Sequence, residues 1–491
     1  MIQNILILIL FFISGCSADY LNTKPSNAVS EELTGSSIEN LYMAINGIHR
    51  KMVSQDMAVQ YLGGYPGFMI TMDVLSDDMT WEQNDQFKKT HQWQLQAMPG
   101  SDVTRTIWLS YYEFILNANL ILENVEKFAV SDPKEYKIVK GEALCFRAFS
   151  HFMLLQTYAR RYENGKINSQ AGIPYRFTST THEMARNTVE ECYQYILADL
   201  DQAISLLEGY TPKSISHFSP IVALGLKARV ALACQDYPTA AQNASAARIL
   251  AEKSGFSLMT NEQFNNGFAD ISTKTKEALW AALTLNDQTV NYYSFYALVS
   301  WNFNSEPVRL GAKQINEALY HRMSASDLRR SWWDETGILP LPAPSYQNYP
   351  YASRKFTARS SSDPVGNVAF MRLSELYLTE AEALARDNQE NQARKILADF
   401  AVTRDLAYTL STLSGPALID EIMIHRRIEL WGEGFRFYDL KRLNEPLNRN
   451  GANFNAAFCI VTRISANDPR WQWAIPQDEM DANPLMEQNQ Y

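Results

Sequence analysis

Apolar residues recur at helical spacing along most of the chain and predict a series of long helices. Between Ser36 and Met52, Ile38, Leu41, Tyr42, Ile45 and Ile48 fall on one face. Residues 107–128 carry the same pattern over a longer stretch. Asp132 and Pro133 open the next helix, which runs to about Tyr162. Ala143, Phe146, Phe149, Phe152, Met153 and Leu155 make it apolar around most of its circumference, so it is predicted to be central and buried. A further helix spans 188–207, capped by Asn187 or Thr188 with Glu191 close behind.

Residues 219–252 read as two helices joined at Asp236-Tyr237-Pro238, with Ala223, Leu226, Ala228 and Ala231 on the first. A helix–turn–helix of about 34 residues with small residues at the crossing points resembles a tetratricopeptide repeat. Residues 371–404 have the same length and plan. Such units bury their faces only by stacking. The predicted fold is therefore mainly α: a right-handed superhelical scaffold of tetratricopeptide-like helix pairs at about 107–162, 188–252 and 371–434. An irregular, loop-rich ligand-binding region and a few short strands complete it.

The helical pattern fails in two places, 54–103 and 255–365. The first holds Gly63, Gly64, Pro66, Gly67, the run SDDMTW at 76–81, Trp93 and Pro99-Gly100, and reads as irregular but ordered. In the second, 277–285 (EALWAALTL) reads as a strand. An aromatic cluster follows at 291–307, then a helix with Ile315, Leu319 and Tyr320, then Trp332-Trp333 and a proline-rich surface loop at 339–351.

Composition changes this picture little. The chain has 491 residues, 46% hydrophobic and 20% charged, an ordinary globular balance. A net charge of −10 argues against nucleic acid or an anionic membrane surface as partner. The N-terminus adds more. Residues 1–16, MIQNILILILFFISGC, are too short an apolar run for a membrane span. Ile13-Ser14-Gly15-Cys16 resembles a bacterial lipobox, in which Cys16 would carry the lipid. An ordinary secretory signal with a chance cysteine is the alternative, and no Lys or Arg precedes the run. The predicted organisation is a signal peptide at 1–15, a lipidated tether at 16–35 and one domain at 36–491. Cys145 and Cys234 lie in apolar helical patterns and read as buried free thiols; whether Cys145, Cys192, Cys234 and Cys459 pair is open.

Residues 422–443, IMIHRRIELWGEGFRFYDLKRL, hold the densest run of paired charge. Arg426 and Glu429, Glu433 and Arg436, Arg436 and Asp439, and Asp439 and Arg442 are each three apart, the spacing of helical neighbours. Gly432 and Gly434 predict two helical pieces with a tight turn between them. With every charge opposite a partner, the stretch reads as an ion-pair network that docks the last helices. No catalytic motif is present: no G-x-S-x-G, H-E-x-x-H, P-loop or G-x-G-x-x-G. The seven histidines lack metal-ligand spacing, so no metal site and no cofactor is predicted from them, and whether a structural metal ion is bound stays open. Asp77-Asp78 and Glu380/Glu382 are the available acid pairs. Adjacent residues point apart, and i,i+2 positions lie about 200° apart around a helix, so both read as solvated or ion-paired.

The pattern R-x-x-E-L-x-x-E-G-x-R-aromatic-x-D-L-x-R, carried by Arg426, Glu429, Leu430, Glu433, Gly434, Arg436, Phe437, Asp439, Leu440 and Arg442, resembles the C-terminal signature of SusD/RagB-type surface lipoproteins. His425 stands where that family usually has an acid. The helix R-A-F-S-H-F-x-L-L-x-x-Y at 147–158, Gly172-Ile173-Pro174 and the closing residues also resemble the family's. The resemblance implies a non-enzymatic protein anchored in the outer membrane by lipid on Cys16 and exposed at the cell surface. It would capture an oligosaccharide and pass it to a SusC-like TonB-dependent β-barrel transporter. It further implies that aromatics from the two irregular regions hold the glycan: Trp81, Asn84 and Trp93 from 76–96, with Tyr292, Tyr296, Trp301 and Asn302 from 290–305. Trp and Tyr offer flat apolar faces to sugar rings, and amides offer hydrogen bonds. The rivals are a peptide or other nutrient in place of the glycan, a surface glycoside hydrolase, and a repeat scaffold whose only ligand is protein.

Overall fold

Two of the helices begin at caps that the sequence supplies. Ser37 accepts from Asn40 N at the start of α1 (Ile38–Lys51), and Thr188 with Glu191 forms a reciprocal capping box before α5 (Val189–Leu206). The computed structural model describes residues 35–54, 59, 61–81, 86–264, 267–285 and 293–491. Cys16, Asn84 and Tyr292, with the signal and tether, lie outside these. Between those two helices come α2 (Gly64–Val74), α3 (Asp102–Val125) and α4 (Pro133–Tyr158). After them come α6 (Pro220–Ala233), α7 (Tyr237–Lys253), α8 (Leu373–Arg386), α9 (Glu390–Ala401), α10 (Gly415–Glu429) and α11 (Arg436–Arg442).

The fold is mainly helical, as the periodicity predicts. From α3 to α7 each helix packs on the next; α7 then packs on α8, and α8 on α9 and α10. This serial stacking of helix pairs is consistent with the tetratricopeptide reading. Small residues allow close approach: a Cβ on Gly225 of α6 would lie 2.5 Å from Met371 Sδ, and one on Gly141 of α4 would lie 2.7 Å from Leu207 Cγ. Helix α4 is buried along most of its length. Cys145, Cys192, Cys234 and Cys459 are free and buried.

The strands are short. β1 (Met79–Thr80), β3 (Gln314–Ile315), β4 (Trp333–Asp334) and β5 (Ala352–Ser353) form one antiparallel sheet in the order β1-β3-β5-β4. β2 (Ala278–Ala282) pairs with β6 (Val368–Arg372), and β7 (Leu447–Asn448) with β8 (Arg463–Ile464). Two expectations need correction. Region 54–103 contains α2, whose eleven residues are all buried. A helix with no exposed face has no polar stripe, so periodicity cannot reveal it. Ile315 is in β3, and the helix after it covers only Glu317–Tyr320.

The signature at 422–443 forms two helices around a turn, with Gly432 and Gly434 at positive φ. Its charges pair differently from the i,i+3 expectation. Of those four pairs, only Asp439–Arg442 forms, at 2.8 Å. Glu429 meets Arg372 at 2.9 Å, Arg404 at 3.1 Å and Arg329 at 3.4 Å. Glu433 meets Lys355 and Arg372 at 2.6 and 2.7 Å. Arg436 reaches Asp77 at 2.8 Å, and Arg426 reaches Asp439 at 2.8 Å. The side chains are buried, so each charge needs several partners; Asp439 finds two within the signature, whereas Glu429, Glu433 and Arg436 take theirs from distant segments. Glu277, Asp327, Glu429 and Glu433 face Arg329, Lys355, Arg372 and Arg404, four charges against four. Burial pushes the Glu429 carboxyl up, but Arg404, Arg372 and Arg329 outweigh it and hold the group well below the usual range. Asp439 is likewise raised by burial but drawn down to about 2 by Arg426 and Arg442.

Candidate functional site

The four-stranded sheet joins the two aromatic regions. Thr80 pairs with Gln314, so the next residues outward, Trp81 and Lys313, lie side by side. Lys313 Nζ sits 4.7 Å above the Trp81 ring. Ser353 N donates to Lys313 O at 2.7 Å, and Arg354 N to Trp332 O at 2.6 Å. The Arg354 guanidinium then lies 4.6 Å over the Trp301 ring. One strip thus runs from Trp81 through Lys313 and Arg354 to Trp301, although these residues are far apart in sequence.

The nominated residues separate along this strip. Trp93 is interior at 1% exposure, its Nε1 donating to Leu75 O at 3.0 Å and its ring set edge-on to Trp471. Tyr296 is 2% exposed and donates its hydroxyl to Phe268 O and Asn367 O. Both are packed among core residues, and Tyr296 also lines the groove that holds Tyr293. Trp81 is 5% exposed, and its Nε1 has no hydrogen-bond partner among the described residues. Trp301 is partly exposed, with Nε1 donating to Thr357 Oγ1 at 3.0 Å. Asn302 spends its amide on Ala358, donating to its O at 2.9 Å and accepting from its N at 2.8 Å. Its place is therefore to fix the loop beneath Trp301. Trp332 and Trp333 are both buried.

A groove at the start of the second aromatic region was not anticipated. Tyr293, partly exposed, lines it with Gly63, Pro66, Thr284, Ser294 and Gly366. Tyr293 lies within the aromatic run of 291–307, but the run alone does not distinguish it from Tyr296, three residues on, which lines the same groove while only 2% exposed. The two positions differ by which side of a five-residue helix, Phe295–Val299, they precede or enter.

The candidate acids are occupied. Asp77 pairs with Arg436, Asp78 with Arg427, Glu380 with Arg248 at 2.6 Å, and Glu382 with Arg442 at 2.7 Å. They are buried, so the ion-paired half of the expectation holds and the solvated half does not. Asp77 and Asp78 also do not diverge: both reach Arg436, at 2.8 and 3.6 Å.

Sequence spacing missed one constellation. His49, Glu142 and His217 converge, with His49 Nε2 and His217 Nδ1 at 3.3 and 2.9 Å from one Glu142 oxygen. Burial lowers the His49 pKa, and it raises Glu142 less than the two imidazoles lower it, for a net downward shift. No local motif could have shown this, since the three residues come from separate segments.

Among the described residues no helix is long and apolar enough to cross a membrane. Two family models match the chain: one described as starch-binding associating with outer membrane, over 19–232, and the SusD family, over 306–491. SusD-like protein P38 of Formosa agariphila is 22% identical over 436 residues, covering 80% of each chain. A Bacteroides vulgatus protein provisionally described as sugar-binding superposes with TM-score 0.77 at 25% identity, covering 92% of this chain and 98% of its own. A SusD superfamily protein of Bacteroides thetaiotaomicron gives 0.80 at 23% identity, covering 93% and 100%.

Proposed function

The chain belongs to the SusD family, and from that premise we propose that it is a lipid-anchored outer-membrane protein that captures an oligosaccharide and delivers it to a SusC-like TonB-dependent transporter. Carbohydrate binding without catalysis fits the family. The delivery step, the anchor on Cys16 and the particular ligand residues are our reading. The observation that carries the binding role is the partly exposed Trp301. Its ring is braced by Arg354, its indole N–H by Thr357 and its loop by Asn302. A ring held this way is a preorganised platform for the apolar face of a sugar. Tyr293, in the groove lined by Gly63, Pro66 and Gly366, is the second contact we assign. Trp81 belongs to the same strip as its inner wall.

Hydrolysis would need two carboxylates about 5–10 Å apart and free to act. The acids that sequence offered are instead held by arginines. The burial of Trp81, Trp93 and Tyr296 is what a protein-only scaffold predicts, and the test separates that reading too. The chain from Ser17 onward is titrated by calorimetry with a panel of oligosaccharides and peptides, beside Trp301→Ala. Saturable binding of a sugar that the substitution weakens at least ~10-fold, with stability lowered by no more than about 1 kcal/mol, is the expected result. Binding of peptides alone would replace the ligand class, and no binding of either would leave the scaffold reading.

A further inference from the structure

Helix α1 contributes His49 to the cluster noted above, α4 contributes Glu142, and the loop before α6 contributes His217. All three donor atoms lie within 4.8 Å of one another. Around a tetrahedral zinc ion with bonds of about 2.0–2.1 Å, neighbouring donors stand about 3.3–3.4 Å apart. The two measured edges, 3.3 and 2.9 Å, are close to that value. The third, between the two imidazole nitrogens, is no more than 4.8 Å.

The imidazoles are already held in place. Tyr42 stacks on His217 at 5.3 Å with an interplanar angle of 3°, and His49 packs against Phe146 at 4.6 Å and Phe218 at 5.7 Å. Such packing fixes ligand rotamers before an ion arrives. The Glu142 side chain has no exposed surface. Among the described residues its hydrogen-bond partners are the two histidines and Phe218 N, the last at 3.3 Å. A cavity of about 170 Å³ opens on both histidines and is lined also by Asn46, Arg50 and Ser216. It has room for a water molecule in a fourth ligand position.

We propose that His49, Glu142 and His217 bind one zinc ion, with solvent as the fourth ligand. Two imidazole nitrogens and one carboxylate suit a borderline divalent transition ion. Calcium and magnesium take mostly oxygen ligands in larger number, and copper(I) prefers sulfur. The ion ties the first described helix to the central helix and to the entrance of the α6–α7 pair, so it fixes the start of the domain that follows the tether. This is independent of the ligand on the aromatic strip.

The test uses the full chain without a histidine tag, stripped with chelator and titrated with zinc sulfate. One zinc per chain, micromolar or tighter affinity and a raised unfolding midpoint are expected. Zinc-edge absorption should show two imidazoles and oxygen at about 2.0–2.1 Å. His49→Gln, at the cavity edge, should weaken affinity at least ~10-fold. Absence of saturable binding by the unsubstituted chain overturns the proposal, and so does an all-oxygen shell. An unchanged affinity in a folded His49→Gln variant does the same.

Discussion

The C-terminal signature and the aromatic strip are both rich in charged and ring side chains, yet they are built in opposite ways. In the signature the charges are interior, and each carboxylate is shared among two or more cations, Asp439 by Arg426 and Arg442 of the signature itself and Glu429 by the distant Arg329, Arg372 and Arg404. In the strip the aromatics dominate, and a single cation covers each: Lys313 over Trp81, Arg354 over Trp301. The first arrangement is rigid because removing one member leaves buried charge unpaired. The second keeps one ring at the surface, where exchange of solvent for ligand is inexpensive. Residue type alone therefore does not say whether a charged, aromatic segment is structure or site; the number and origin of its partners does.

The sharpest way to break this contrast is Glu429→Ala. It leaves Arg329, Arg372 and Arg404 to share Asp327, Glu277 and Glu433 with Lys355, an excess of buried positive charge, and should cost about 3–5 kcal/mol or prevent folding, read as the shift in urea unfolding. A loss below about 1 kcal/mol would mean that water enters the network and that it is not a rigid core.

Trp93→Ala and Trp301→Ala test the other side. Trp93 is interior, and its removal should cost about 3–5 kcal/mol. Trp301 is partly exposed, and its loss should cost about 1 kcal/mol while removing ligand affinity. Equal destabilisation by the two would place Trp301 in the core and move the site to the Tyr293 groove.

Lys441 sharpens the comparison from within the signature. It is buried, donates to Gln156 O and forms no ion pair among the described residues. Burial lowers its pKa to about 7. Between that value and the ordinary lysine value of 10.5, the unfolded chain holds a proton that the folded chain lacks, so this group's contribution to stability rises with pH across the window. Below about pH 7 both states are charged, and the burial cost is felt in full. Lys441→Met should therefore stabilise by about 1–3 kcal/mol at pH 6, with the gain shrinking towards pH 10. Thermal unfolding at several pH values reads the slope; a gain that grew with pH would refute the assignment.

The smallest effect belongs to an exposed pair. Arg322 and Asp420 lie 2.9 Å apart, with side chains 51% and 62% exposed. Asp420→Ala should change unfolding by about 0.5 kcal/mol or less. Its distance is close to those in the signature, so the contrast in cost measures burial rather than geometry.

The sequence by itself determined the helices that have one polar face and a cap. Thr188 and Glu191 announce α5, and Asp236 with Pro238 announces α7, because period and cap are properties of a few adjacent residues. It also determined the two-piece form of 422–443, through Gly432 and Gly434, and the family, through residues at fixed spacing. It did not reveal α2, whose burial on all sides erases the periodic signal. It could not tell Trp93 from Trp301, because side-chain exposure depends on what arrives from elsewhere in the chain. Only the tertiary structure gave Glu429 its arginines, laid Trp81 beside Lys313 and brought His49 to Glu142 and His217. Each of those is a long-range contact, decided by how helices and strands pack and not by any local spacing.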